Sequence, residues 1–245
     1  MAGLSYAAAE CQNIVNKKNM AEMTEKQIRA EMAAMRPVAE EAEKRHGSTG
    51  EDLDAYWNVM CGDVLLAENN LRENRNQWEI ASLAREFIRY GKILEGFDHM
   101  LDDIYSAVER MADCVYEHPR LKKKLLELES LVLLRIESLH DRDLSVTEDI
   151  DREINRLGFN IEYADNGRLD LIVDDRHLKH DPVEWTGRWE EVVDEADRIV
   201  DRKLEGHPRG MGFCFAYWHE RKNALAGFGI EWRSPAEMNP GVMFD

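Results

Sequence analysis

The segment from Pro119 to Leu139 constrains the fold most, because it is apolar over a wide arc and repeats hydrophobic residues three and four positions apart. That spacing places the side chains on one stripe of an α-helix. Pro119 stands at a favoured first-turn position, and the segment contains no further proline and no glycine. A helix this apolar must be covered by other helices, so the sequence predicts an antiparallel helical bundle.

The rest of the first 140 residues follows the same pattern, with few glycines and prolines between the apolar stripes. A first helix is predicted from about Ser5 to Lys18. Thr24 with Gln27 has the pattern of a capping box and predicts the start of the next helix. Pro37 falls inside that helix and predicts a kink or a break there. The predicted fold class is therefore mainly α, with the bundle over residues 1–140.

Residues 141–245 are predicted to form a smaller α+β region. Two alternating apolar and polar runs flank the turn sequence Asp165-Asn166-Gly167. This arrangement is a strong hairpin signal, so a β-hairpin is predicted over residues 159–175. An isolated hairpin is only marginally stable and must lie against another element. The predicted cover is an amphipathic helix over residues 182–205, with apolar residues on one face and carboxylates on the other.

The last forty residues, 206–245, form an aromatic tail that is predicted to be ordered. They contain seven of the 20 aromatic residues, and their four acidic groups balance their four basic groups. Two alternatives follow for these side chains. They can fold back and close the second domain, or they can project and bind a partner. In the second case aromatic residues and methionines are the natural anchors, because they are enriched in interface cores. The candidate partner-binding residues are Trp218, Trp232, Met243 and Phe244.

Histidines and carboxylates give only weak candidates for a metal site. The four candidate ligands are His177, His180, Asp181 and His219. A zinc site needs three or four converging ligands, and no second closely spaced pair completes this set. Asp181 before Pro182 also has the pattern of a helix entry. The sequence therefore predicts no metal and no cofactor, with a metal-dependent enzyme that uses histidine and carboxylate clusters as an alternative.

The charge balance excludes some partners and suggests others. The formal net charge is −17, and residues 141–205 alone carry 20 acidic against 10 basic groups. Binding to a nucleic-acid backbone depends on basic side chains, so direct nucleic-acid binding is not predicted. An acidic inhibitor that mimics nucleic acid is an alternative function. The four cysteines are widely spaced and predict free thiols in a reducing, cytoplasmic compartment. The sequence contains no apolar run of roughly 18 residues, so no membrane span is predicted.

Common catalytic motifs are missing from the sequence. There is no phosphate-binding loop, no dinucleotide-binding glycine pattern after a strand, no G-x-S-x-G elbow and no H-E-x-x-H helix. The predicted function is therefore a non-enzymatic interaction or assembly protein that binds another protein or itself. A subunit of a viral or mobile-element particle is one form of this function.

Overall fold

The computed structural model describes residues 23–141, 146–174 and 177–244, so the helix predicted from Ser5 to Lys18 lies outside the described residues. Within these ranges the chain is mainly α, as predicted. Its α-helices are α1 (Glu25–Lys44), α2 (Gly50–Arg72), α3 (Ile80–Leu94), α4 (Leu101–Cys114), α5 (Pro119–His140), α6 (Thr147–Asp165), α7 (Gly187–Lys203), α8 (Phe213–Gly227) and the short α9 (Pro235–Met238). Among the described residues, no helix combines the length and the apolar character needed to cross a membrane.

The first six helices share one hydrophobic cluster. Helix α2 packs against α1, α3 and α4, while α5 packs against α3, α4 and α6. The rings of Tyr56 and Tyr90 stack at the centre of this cluster, with 5.3 Å between their centroids. Leu125 and Val132 of α5 are completely buried, as the apolar arc of this helix predicts. Trp185, between α6 and α7, also belongs to this cluster.

Helix α1 runs through Pro37 without a break, so of the two predicted outcomes, a kink or a break, the break does not occur. The capping box between Thr24 and Gln27 is confirmed at the start of the helix. A proline removes one helical hydrogen bond and leaves the carbonyl four residues earlier without that partner. Pro37 and Ala33 both lie on the exposed face of α1, where water can satisfy the carbonyl. The proline therefore leaves no buried polar group unbonded.

The predicted β-hairpin over residues 159–175 is wrong, and the described part of this region contains no strand. Residues 159–165 are instead the last turns of α6. The buried residues of α6 include Ile150, Leu157 and Ala164, and they are joined on the core side by Ile154 and Ile161. Their spacings of four, three, four and three are helical, so the stripe over the whole helix outweighs the short alternation that suggested a strand.

The predicted turn sequence ends α6 rather than joining two strands. Gly167 adopts a left-handed conformation with φ of 70°, and the amide of Arg168 donates to the carbonyl of Tyr163 at 2.8 Å. This is the hydrogen bond of a Schellman helix end, which uses the same left-handed glycine as a hairpin turn. The next residues lie back on α6, where the side chain of Asn160 exchanges two hydrogen bonds with the backbone of Val173.

A second hydrophobic cluster joins α7, α8 and the chain after α8. The predicted helix over residues 182–205 begins as a 3-10 turn at Pro182–Trp185, and Thr186 then caps α7. Trp189 and Val193 of α7 pack in this cluster with Leu225 of α8 and with Ile230 and Trp232. Helix α7 also contacts the 3-10 turn Gln77–Glu79 of the bundle. The domain boundary near residue 140 stays a prediction.

The close approach of α1 and α2 gives a prediction at Gly62. A β-carbon at this position would lie 1.9 Å from Sδ and 2.8 Å from Cγ of Met32, a fully buried side chain. Gly62→Ala is therefore expected to lower the free energy of unfolding by about 1–3 kcal/mol, because the core must shift. The matched control is Gly50→Ala, where a β-carbon meets nothing within 4 Å. Urea unfolding measures both, and equal stabilities of the two variants would contradict the packing argument.

Candidate functional site

A pocket of about 330 Å³, here called the tail pocket, lies between the aromatic tail and the bundle. Helix α8 supplies one wall, because five of its residues share a face at helical spacing. They are Phe213, Cys214, Tyr217, Trp218 and Arg221. The connection between α4 and α5 supplies Tyr116 and Glu117 on another side. The chain before α7 adds His180 and Glu184, and the chain after α8 adds Trp232 and Pro235.

The floor of the tail pocket is a buried ionic cluster centred on Arg221. Its Nη1 and Nη2 atoms donate to the two carboxylate oxygens of Glu117 at 2.8 and 2.5 Å. Nη2 also donates to Oδ2 of Asp197 at 2.8 Å. Nε of Arg221 lies 2.7 Å from Oδ1 of Asp197, but these two atoms are not aligned for a hydrogen bond. One guanidinium therefore connects α8 to α7 and to the bundle.

The two carboxylates of this cluster have opposite pKa shifts. Burial raises the pKa of Asp197, and the nearby charge of Arg221 offsets only part of that increase. Burial also acts to raise the pKa of Glu117, but the charge and hydrogen bonds of Arg221 outweigh it, and the pKa is lowered. Burial works against the charge of Arg221, yet Asp197 and Glu117 together raise its pKa, so the guanidinium stays protonated.

Three aromatic rings surround the guanidinium of Arg221. Its central carbon lies 5.2 Å from the ring centroid of Trp189, 5.4 Å from that of Trp232 and 5.9 Å from that of Tyr217. A cation near aromatic faces is favoured by the ring quadrupole, and more strongly where water is excluded. The rings and the two carboxylates therefore fix the position of Arg221 and, with it, the pocket-facing side of α8.

His180 and Asp181, two of the candidate metal ligands, are engaged in structural contacts. Glu184 accepts a hydrogen bond from Nε1 of Trp232 at 2.9 Å and lies 3.2 Å from Nδ1 of His180. Asp181 caps the 3-10 turn by accepting from the amide of Val183, and it accepts from the amide of Arg233 at 2.7 Å. The pattern of a helix entry at Asp181 is confirmed, and the residue also anchors the chain after α8.

The other two candidate ligands, His177 and His219, are exposed. His219 lies on α8, where its Nε2 atom is 3.2 Å from Nδ2 of Asn223. Across residues 23–141, 146–174 and 177–244, no group of three or more histidine, cysteine or acidic side chains is placed to hold a metal ion. The four candidates do not converge on a shared site in this part of the chain.

The candidate partner-binding residues divide between the two alternatives for the tail. Trp232 is only 2% exposed and packs against Trp189 with 6.3 Å between ring centroids, so it is an internal anchor. Trp218 is half-buried, and its ring meets that of Phe215 at 5.5 Å and that of Phe244 at 5.0 Å. Phe215 is 50% exposed and Met243 is 96% exposed. We call Phe215, Trp218, Met243 and Phe244 the aromatic surface.

Sequence reasoning missed the buried charges of this site. The expectation that the carboxylates of α7 lie on its solvated face is wrong for Asp197, which is only 3% exposed. The available signal was its place directly after Ala196 and three residues before Val200, which both lie on the apolar stripe. Arg221 offered a similar signal, since it follows Phe213 and Tyr217 by eight and four residues on one face of α8.

The chemistry of the tail pocket favours binding. Glu117 and Arg221 of its lining are paired with each other, and five aromatic side chains contribute to its walls. Such a pocket can hold a ligand or stiffen the surface beside it without making or breaking a bond. Comparisons of this chain with models of protein families, with curated proteins and with solved structures gave no match.

Proposed function

We propose that this protein is a non-enzymatic assembly protein that associates with a second copy of itself through the aromatic surface. The observation that carries the proposal is the contact of Trp218 with both Phe215 and Phe244, beside the almost fully exposed Met243. Exposed apolar side chains that cluster mark interaction sites more often than single exposed residues do. Aromatic residues and methionine are also the usual anchors of interface cores.

The charge distribution favours a second copy as the partner. The whole chain carries −17, but residues 206–245 carry four acidic and four basic groups. The negative charge therefore lies on the rest of the chain, and two copies that bring acidic parts of it together repel each other. Two copies that meet at the tail avoid this repulsion. Self-association of this kind is the property required of a subunit in a larger particle, such as a viral or mobile-element assembly.

The tail pocket supports the aromatic surface from behind. Trp218 belongs to both, since it lines the pocket and contacts Phe215 and Phe244. The buried cluster of Arg221 fixes α8 against α7 and the bundle. A surface that is already held in its binding geometry loses less conformational entropy when it associates. The residues around the pocket therefore increase the affinity of self-association by holding the aromatic surface rigid.

Sedimentation velocity over roughly 1 µM to 1 mM protein tests the proposal, because a Kd in that range corresponds to a typical weak homodimer. The wild-type chain is expected to show concentration-dependent self-association. Met243→Asp places a charge in the proposed interface and is expected to raise the Kd at least about tenfold. The matched control is Val38→Asp, which adds the same charge at an exposed position of α1.

Two results would overturn this function. One is a wild-type chain that stays monomeric over the whole concentration range. The other is self-association that Met243→Asp and Val38→Asp change equally, because the effect then comes from net charge alone. Far-UV circular dichroism of both variants confirms that the helical fold is intact.

A further inference from the structure

A wide groove beside the tail pocket has a charge opposite to that of the chain as a whole. It has a volume of about 1030 Å³ and lies between the loop after α2 and the C-terminal end of α7. Its lining contains four arginines against two carboxylates, on a chain whose formal net charge is −17. We call it the arginine groove, and its basic and aromatic residues are Arg75, Trp78, Arg198, Arg202, His207 and Arg209.

One arginine and one carboxylate of the groove hold the two loops together. Asp201 accepts from Nη2 of Arg209 at 2.8 Å and from the backbone amide of Asn76 at 3.0 Å. Both charged side chains of this pair are mostly buried. Asn76 itself adopts a left-handed conformation with φ of 53°, which the contact to Asp201 helps to hold. This pair therefore accounts for the shape of the groove.

The remaining arginines keep an excess of positive charge. Arg198 and Arg202 share a single carboxylate, that of Glu195, and the contact from Arg202 is long at 3.4 Å. Arg75 enters from the opposite loop and is exposed. Guanidinium groups bind phosphate oxygens with pairs of parallel hydrogen bonds, and they lose less hydration than an ammonium group does. The groove thus offers arginines from two elements to one anion.

Trp78 adds an aromatic wall to this anion-binding lining. It lies in the 3-10 turn Gln77–Glu79. This turn packs against α7, which fixes the backbone that carries the indole ring. The guanidinium carbon of Arg198 lies 5.9 Å from its ring centroid. A half-buried indole beside arginines is a platform for a planar ring, since bases stack on aromatic side chains and on guanidinium planes.

Helix capping alone does not explain the groove. Arginines near the C-terminus of α7 are favoured by the helix dipole, and this accounts for Arg202 and in part for Arg198. It does not account for Arg75 or Trp78, which come from a different element and face the same space. The convergence of two elements on one cavity is the observation that points to a ligand.

We propose that the arginine groove binds a nucleoside phosphate. The phosphate groups lie against Arg75 and Arg202, and the base stacks on Trp78. A volume of about 1030 Å³ slightly exceeds the range usual for small-molecule sites, which leaves room for a base, a ribose and phosphates. The site is separate from the aromatic surface, so it is a ligand site in addition to the proposed self-association.

Titration of the full chain with ADP tests this site. Binding is monitored by isothermal titration calorimetry and by tryptophan fluorescence. ADP is expected to bind and to quench part of the fluorescence, while pyrophosphate and adenosine each bind more weakly. Arg75→Ala and Arg202→Ala are each expected to weaken binding about tenfold, the effect of losing a hydrogen bond to a charged group. Trp78→Leu is expected to abolish the advantage of ADP over pyrophosphate.

The matched control is Arg188→Ala, an exposed arginine of the same helix that lies outside the groove lining. It is expected to bind ADP as the wild type does. Absence of any signal up to about 5 mM ADP overturns the proposal, since weaker binding is below ordinary ligand affinities. So does equal binding by the wild type, Arg75→Ala and Arg202→Ala. A short single-stranded oligonucleotide that binds where ADP does not would overturn the mononucleotide assignment. Met243→Asp is expected to leave ADP binding unchanged, which separates this result from self-association.

Discussion

Arg221→Met is expected to lower the free energy of unfolding by about 3–5 kcal/mol, the cost typical of removing one partner from a buried ion pair. Arg221 is only 4% exposed, and its charge faces both Glu117 and Asp197. Methionine fills much of the same space but leaves two carboxylates close together without their cation. The hydrogen bonds that link α8 to α7 and to the bundle are lost as well. Urea unfolding at neutral pH measures the difference.

The size of this effect should depend on the two carboxylates and on pH. Without Arg221, the pKa of both Glu117 and Asp197 is expected to rise, because burial and mutual repulsion then act without the opposing charge of Arg221. Acidification neutralises them, so the deficit of Arg221→Met is expected to shrink between pH 7 and about pH 5. Adding Glu117→Gln and Asp197→Asn should recover part of the loss, since replacing all members of a buried pair is often nearly neutral.

Arg221→Lys is the conservative control, because it keeps the charge but loses the two-pronged contact with Glu117. Its expected stability lies between those of the wild type and Arg221→Met. A loss below about 1 kcal/mol for Arg221→Met, the range of exposed ion pairs, would contradict a central role for this cluster. So would a deficit that is the same at pH 5 and pH 7.

The helical part of the fold could be predicted because its signals are local. The apolar arc of α5 and the capping box at Thr24 depend on residues that are close in sequence, and both are confirmed. The same local rules misread residues 159–175. Asp165-Asn166-Gly167 permits both a hairpin turn and a helix end, because both need a left-handed glycine. Packing of α6 against α5 decides between them, and no short window of sequence contains that contact.

The candidate site was harder to predict because its contacts join distant parts of the chain. Arg221 and Glu117 are 104 residues apart, and neither belongs to a recognisable motif. Composition distinguishes the tail from the rest of the chain, but it gives no means of telling Trp218 from Trp232. The two tryptophans differ in burial because of the position of α7. Trp189 of this helix covers Trp232, whereas Trp218 stays half-buried at the surface. Net charge could not predict the arginine groove either, because a sum over the whole chain does not show a local excess of positive charge.

His118 should make the stability of this protein decrease at alkaline pH. It stands just before α5, where its Nδ1 lies 3.0 Å from Glu190 and its Nε2 lies 3.0 Å from Asp194 of α7. Burial alone would lower the pKa of His118, but its hydrogen bonds to Asp194 and Glu190 and their negative charges outweigh burial. Together they raise the pKa to about 9. The buried imidazole is therefore a cation at neutral pH and joins the bundle to α7.

The direction of the pH effect follows from this shift. The unfolded chain releases the proton near pH 6.5, and the folded chain holds it to about pH 9. The stabilisation is therefore complete below pH 6.5 and is lost as the pH rises through 9. A shift of this size corresponds to about 3 kcal/mol, at 1.36 kcal/mol for each pKa unit. Neutral imidazole has one donor for two carboxylates, so deprotonation also removes the hydrogen bond from His118 to one of them.

His118→Gln separates this effect from other groups that titrate at alkaline pH, because those groups are shared by the variant and the wild type. Urea unfolding at pH 6, 8 and 10 should show the variant less stable by about 2–3 kcal/mol at pH 6, where the wild type has its full ion pairs. The gap should nearly close by pH 10. His219→Gln, at an exposed histidine, is the control and should follow the wild-type curve. Parallel curves for the wild type and His118→Gln would show that His118 is not a buried cation, because only a proton held by the folded state makes the two curves converge.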